Sequence, residues 1–324
     1  MNRIYTILFL LLPILIGCKN STSNKSGKKS TESEKIIESR PVVSFTFDDG
    51  ITSDIADFKF EEWNKMILSH LEKENLKAIF FVTGSNKLDE KGQFLLKSWN
   101  DKGHQLANHS FKHSNFNSEK NTSHLFESEL LRTDTIISKF SNRVKLFRFP
   151  YLKEGQNPSK VDSIRNVLSK NNYLNGYVTI DASDWYINQR LIERIRKVGV
   201  EKTEMEKFKD FYLQHILERA NYYEKLSYRM NGRNIDHTLL LHHNLTSALF
   251  LGDLIEKFKE DGWEVINADK AYQDKIFNNI PNSSFAGESL IYSIAKQTEK
   301  YNHSLRYPAE DSSYEKDKMD KLGL

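Results

Sequence analysis

Two histidines four residues apart, His109 and His113, and two adjacent carboxylates, Asp48 and Asp49, offer chemistry most directly. Two imidazoles and one carboxylate suit a divalent ion of borderline softness such as zinc, with a fourth position left open. The i, i+4 spacing turns both imidazoles the same way if residues 109–113 form a helical turn. Neighbouring aspartates at a strand end point in different directions, so one can hold the ion while the other faces water. Asp48-Asp49-Gly50 taken alone is an ordinary turn sequence. It gains meaning from the polar residues that end other short apolar runs: Arg148 in Arg148-Phe149-Pro150-Tyr151, Asp184 in Asp181-Ala182-Ser183-Asp184-Trp185, and His242 in Leu239-Leu240-Leu241-His242. A guanidinium keeps a nearby carboxylate ionised, and a carboxylate bonded to an imidazole favours its protonated form. A metal, a base and an acid together are the parts of a hydrolase.

The five segments, taken in order, resemble the NodB-homology polysaccharide deacetylases, also called carbohydrate esterase family four, over residues 42–270. The resemblance implies that Asp48 is the general base and that Asp49, His109 and His113 are metal ligands. It implies that Arg148 orients Asp48, that the Tyr151 backbone amide stabilises an oxyanion, and that Asp184 pairs with the catalytic histidine. Trp185, Tyr151 and Leu240 are the expected substrate contacts. By register with the family's Leu-x-Leu-His pattern the acid is His242, with His243 the alternative. Leu152 stands where the family pattern has glycine, a departure that bears on the shape of that loop. His70, His104, His124, His215, His237 and His303 have no comparable context and read as structural or surface residues.

What the resemblance implies is one divalent ion, zinc first and cobalt, manganese or nickel as substitutes, and removal of N-acetyl groups from amino sugars of a cell-wall or extracellular polysaccharide. The same machinery cleaves an O-acetyl ester on a glycan such as xylan, which is the nearest alternative. A glycan-binding protein without turnover is the alternative from another class; such a chain is expected to have lost a ligand or the base, and this one keeps them all.

The elements that must carry these residues follow from pattern. Short β-branched and aromatic runs alternate with longer polar segments at helical spacing, which predicts an α/β protein with parallel strands. Strands are expected over residues 42–47, 78–83, 105–107, 146–149, 176–180, 238–241 and 263–266. Helices are expected over 58–74, 91–102, 119–140, 158–170, 204–230 and 247–261, with Thr203 and Glu206 spaced as a capping box. Pattern alone allows an open doubly wound sheet; the resemblance implies an irregular (β/α) barrel of about seven parallel strands. Residues 186–237 form an insertion between the fourth and fifth motifs, and a loop over 187–200 is expected to border the substrate groove. Its apolar positions, among them Phe208, Tyr212, Ile216 and Tyr223, read as a stripe packed on the barrel.

At the N-terminus, Arg3 precedes an apolar stretch over residues 4–16, and Leu15-Ile16-Gly17-Cys18 resembles a lipobox. The expected layout is a lipoprotein signal peptide over 1–17, a lipidated Cys18 with a flexible Ser/Lys-rich tether to residue 40, a catalytic domain over 41–280 and a C-terminal extension over 281–324. This predicts a membrane partner through the lipid on Cys18 and a place in the cell envelope outside the cytoplasm. The net charge of +3, from 47 basic and 44 acidic residues without a basic block, argues against nucleic acid as a partner. The expected partner is instead an acetylated polysaccharide or oligosaccharide.

Overall fold

A computed structural model describes residues 40–282, 287–307 and 312–324, so the expected signal peptide, Cys18 and most of the tether lie outside the described residues. The strands are β1 (Val42–Asp49), β2 (Ile79–Val82), β3 (Gln105–Asn108), β4 (Arg143–Phe147), β5 (Leu174–Asn175), β6 (Asp236–His242) and β7 (Glu264–Val265). The α-helices are α1 (Phe60–Lys73), α2 (Glu90–Asp101), α3 (Ser123–Ile137), α4 (Pro158–Lys170), α5 (Asp184–Val198), α6 (Met205–Asn231), α7 (Leu245–Glu260), α8 (Ala268–Ala271), α9 (Leu290–Gln297) and α10 (Ser313–Leu322).

All strand pairs are parallel, in the order β5-β4-β3-β2-β1-β6, with β7 also paired to β1. β1 lies near the centre and is buried on both faces, as a strand between helical layers must be. Its Ser44 and Thr46 hydroxyls avoid an unsatisfied burial by donating to the carbonyls of His237 and Leu239 on β6. The chain after β5 joins the sheet's two edges. Gly176 donates its N–H to Phe147 at the end of β4 (2.8 Å), and four residues later Ile180 forms a parallel bridge with Leu239 on β6. The result is a curled half-barrel with helices outside it.

The pattern misplaced three features. β4 starts at Arg143 and ends at Phe147, before Phe149-Pro150, because proline cannot donate to a neighbouring strand. The expected strand over 176–180 is a single bridge, and the regular pairing to β4 falls at Leu174 and Asn175. The expected loop over 187–200 is mostly helix α5, whose Ile187, Leu191 and Ile195 recur every fourth residue and are buried. The capping box is also absent. Thr203 donates its hydroxyl to Gly199 O (2.8 Å), and α6 begins after Glu204 without a side-chain cap.

The core beneath the carboxyl ends of β1 and β2 is aromatic. Phe47 and Trp99 meet edge-to-face at 5.3 Å, and Phe80 packs on Trp99 at 4.3 Å, each pair worth about 0.5–1.5 kcal/mol beyond its burial. The C-terminal segment belongs to the same compact unit. Leu290 at the start of α9 donates its N–H to Val178 O (2.7 Å), and α10 inserts the buried Glu315 against His215 and Arg219 of α6. No helix among the described residues is long and apolar enough to cross a membrane.

Candidate active site

The carboxyl ends of the parallel strands open onto one cavity of about 370 Å³. This is where ligands collect in such sheets, because the strand-to-helix turns leave side chains projecting there. Asp48, Asp49, His109, His113, Tyr151, Leu152, Trp185, Leu240 and His242 line it. Arg148 and Asp184 stand behind that wall, fully buried. None of the residues lining this cavity falls within 186–237; α5 starts at its wall with Trp185 and continues away from it, packed on α6, α7 and β6.

Asp49, His109 and His113 each present a ligand atom, all within 4.8 Å of one another. The Asp49 Oδ1 atom lies 3.3 Å from His113 Nε2 and 3.7 Å from His109 Nε2. Arg148 O lies 2.9 Å from His109 Nδ1 and can only accept, so that nitrogen carries the proton and Nε2 presents a lone pair. Burial pulls both imidazoles from the ordinary 6.5 to about 4, keeping them neutral. Asp49 Oδ1 is buried with no hydrogen-bond partner among the described residues. Burial works against its ionisation, yet His242, His113, His109 and Lys87 outweigh that and hold the carboxylate below its usual range. Two lone pairs facing a bare carboxylate oxygen fit a cation and leave no other obvious partner.

The histidines reach this arrangement without a helical turn. Residues 109–113 are irregular, with Ser110 at φ 63° and His113 at φ 57°; the bend is held by His113 N–H donating to Ser110 Oγ (3.0 Å) and Ser110 N–H to Asn108 Oδ1 (3.0 Å). Among the described residues, eleven non-glycines have positive φ, and six of them (Asp49, Ser110, His113, Tyr151, Leu152 and Ser183) belong to the segments around this cavity. Strain of about 1 kcal/mol or more per residue is therefore concentrated where side chains must be aimed.

Asp48 points the other way from Asp49, into Arg148. The guanidinium Nη1 donates to Asp48 Oδ1 (2.5 Å) and to Thr46 Oγ1 (3.0 Å), Nε donates to Gly176 O (2.9 Å), and Nη2 donates to Tyr272 Oη (2.9 Å). The ring of Phe81 lies 3.8 Å beneath it. Burial raises the Asp48 carboxyl to about 6, with the charges of Arg148 and His242 limiting the rise.

His242 Nδ1 lies 2.6 Å from Asp184 Oδ1, and the other carboxylate oxygen accepts from the His242 amide (2.9 Å) and from Asn244 Nδ2 (3.0 Å). Nδ1–H thus donates to Asp184, leaving Nε2 for the cavity that the ring lines. His243 instead lies in the aromatic core, 4.4 Å from Trp63, with Nε2 on Asn64 Oδ1 (3.0 Å). Its burial pulls the ring well below 6.5. The indole N–H of Trp185 is buried without a partner among the described residues.

Sequence reasoning missed the supporting groups Thr46, Tyr272, Asn244 and Lys87. Thr46 carried a signal, because it lies two residues before Asp48 on the same strand and so faces the same side. Tyr272 and Lys87 arrive from distant segments and carried none.

Residues 35–174 match the family described as polysaccharide deacetylase. The peptidoglycan-N-acetylglucosamine deacetylase of Bacillus cereus is 28% identical over 144 residues, 44% of this chain and 46% of that protein. The deacetylase PgdA of Listeria monocytogenes is 22% identical over 236 residues, 72% of this chain and 39% of that protein. A bifunctional xylanase/deacetylase of Pseudobutyrivibrio xylanivorans is 26% identical over 57% of this chain and 26% of its own length. The chain thus spans less than half the length of these relatives. In fold it is similar to a carbohydrate esterase family 4 pseudoenzyme from Bacillus anthracis, with TM-score 0.51 at 19% identity over 72% of this chain and 66% of that one. It is similar also to a crystallised peptidoglycan N-acetylglucosamine deacetylase, with TM-score 0.50 at 20% identity over 73% and 90%. Five ordered motifs, a curled parallel sheet and the match over residues 35–174 show that this chain carries a polysaccharide deacetylase domain there and is similar in fold to carbohydrate esterase family four proteins.

Proposed function

We propose that this chain is a metal-dependent hydrolase that removes N-acetyl groups from amino sugars of a cell-wall or extracellular polysaccharide. The observation that carries the reading is the convergence on one open cavity of three parts: the Asp49-His109-His113 donor set, the Asp48-Arg148 pair and the His242-Asp184 pair. A divalent ion held by Asp49, His109 and His113, with zinc favoured by the donor set and cobalt, manganese or nickel acceptable, supplies Lewis acidity at an acyl carbonyl and lowers the pKa of water.

The residues divide the remaining work. Asp48 takes a proton from the attacking water, and its pKa near 6 suits a base that must be ionised near neutrality. Arg148 holds one oxygen of that carboxylate and leaves the other toward the cavity. The Tyr151 amide donates to the developing oxyanion, Trp185 and Leu240 enclose the acetyl group, and His242 Nε2 delivers a proton to the departing amine. Asp184 fixes the ring's tautomer and stabilises its charged form. Export and anchoring through Cys18 would bring this site to an envelope glycan.

O-acetyl ester hydrolysis is the second reading, favoured by the likeness to the xylanase/deacetylase. An alkoxide leaving group asks less of His242, so the two readings separate by substrate. Acetate release by the metal-reconstituted chain is compared on peptidoglycan, chitooligosaccharides and acetylated xylan. Release from the first two supports the amide reading, release from xylan alone replaces it with the ester reading, and release from none refutes both.

A further inference from the structure

Behind the metal-ligand turn lies a lysine that the chemistry above does not use. Lys87 is fully buried, in the loop between β2 and α2. Its ammonium reaches Gly50 O at 2.7 Å, Thr83 O at 3.1 Å, Asp49 O at 3.2 Å and Asn86 Oδ1 at 2.5 Å. Three of these oxygens are backbone carbonyls, and two belong to the turn that carries Asp49. That turn is in the left-handed region at both residues, with φ 77° at Asp49 and 85° at Gly50. Within the turn one hydrogen bond spans Asp49, from Gly50 N–H to Asp48 O (3.1 Å); the Asp49 and Gly50 carbonyls are held from outside it, by Thr83, Asn86 and Lys87.

The surroundings are shaped for this amine. A Cβ on Gly50 would lie 2.8 Å from Lys87 Cε and 2.9 Å from Nζ, and a Cβ on Gly92 would lie 2.3 Å from Lys87 Cα. Both glycines leave the space that the lysine fills. Desolvation works against its charge, but four oxygen acceptors face the nitrogen, which a neutral amine with two N–H groups and a lone pair would satisfy poorly. Asn86 and Thr83 complete the cradle: Asn86 Nδ2 donates to Gly50 O (3.1 Å), and Thr83 Oγ1 donates to Asp49 O (2.9 Å).

We infer that Lys87 is a positioning residue for the metal site, a built-in cation that gathers the carbonyls of Asp49, Gly50 and Thr83 and so fixes the strained turn that aims the Asp49 carboxylate at His109 and His113. This rests on the reading of Asp49 as a metal ligand. Supporting groups of this kind, once removed, typically weaken metal binding on the order of ten- to a hundredfold.

The test is a cobalt titration of the metal-free full chain, followed by visible absorption, in the unmutated protein, Lys87→Met and Lys87→Ala. Both variants are expected to bind cobalt at least about tenfold more weakly. In Lys87→Ala, which leaves a hole at the nitrogen, ammonium chloride is expected to restore part of the affinity where tetramethylammonium chloride at equal ionic strength does not. Unchanged cobalt affinity in the variants, or a lower thermal stability with no change in affinity, overturns the role of Lys87 alone. Failure of the unmutated chain to bind cobalt overturns the metal site and this role with it. If the variants do not fold, the ¹⁵N resonance of the Lys87 ammonium in the unmutated chain decides. Slowed solvent exchange and a shift on zinc addition support the inference, and surface-like exchange with no shift overturns it.

Discussion

At the scale of single residues, the two aspartates and the two adjacent histidines show how position divides labour among identical side chains. Asp48 faces a guanidinium and Asp49 faces two imidazoles, so replacing them should separate chemistry from binding. Asp48→Asn keeps the size and removes the proton acceptor; it is expected to retain its metal by elemental analysis while deacetylation falls about a hundredfold or more. Near-normal turnover would mean that the base lies elsewhere. His242 and His243 divide differently, one at the cavity and one in the aromatic core. An amine must be protonated to depart, whereas an aryl oxide leaves unaided, so His242→Ala should nearly abolish N-deacetylation yet spare much of aryl acetate hydrolysis. Equal losses on the two substrates would contradict the assignment of His242 as the acid. The groups bound for the cavity were legible because each ends a short apolar run, a place where a buried strand gives way to a site. Tyr272 and Lys87 were not, since the contact that gives each a role is made across 124 and 37 residues respectively.

At the scale of elements, strands rich in β-branched and aromatic residues were legible, and so were helices with a polar face. What escaped was pairing that depends on two residues, as in β5, and a helix whose apolar repeat is diluted by charge, as in α5. α10 is the extreme case, because its weak apolar content gives no hint that Glu315 is buried. That carboxylate contacts Arg219 and lies 3.0 Å from His215 Nε2, and the same nitrogen lies 2.8 Å from Ala182 O, two residues before Asp184. Truncation to alanine strands a buried guanidinium, a change that typically costs about 3–5 kcal/mol. Glu315→Ala should therefore lower the urea midpoint, and adding Arg219→Leu should recover part of the loss. A midpoint unchanged in Glu315→Ala would show that α10 does not brace α6.

At the scale of the whole molecule, the sites of charge set how stability responds to pH. His104, His109, His113 and His243 are neutral in the fold because burial pulls them to about 3, about 4, about 4 and well below 6.5. As pH falls through about 6.5 the unfolded chain takes up protons at these positions and the fold does not, so stability is lost from there downward. Asp48 and Asp181, raised to about 6, and Glu154 and Asp236, also raised, act in the opposite sense, since the fold binds their protons first. The numbers are equal, four and four, but the imidazoles carry the larger shifts and so outweigh the carboxyls. The metal-free protein should thus show a lower urea midpoint at about pH 5 than at about pH 7; a higher one would contradict these environments. The central claim is that the cavity hydrolyses acetyl amides only with an ion on Asp49, His109 and His113. Its most direct measurement is acetate release from an N-acetylated chitooligosaccharide as zinc is titrated into the metal-free chain. The account predicts no release without metal, a linear rise that ends near one ion per chain, and a flat baseline for a folded His109→Ala protein. Undiminished acetate release from the metal-free chain, or full recovery in His109→Ala, would contradict it.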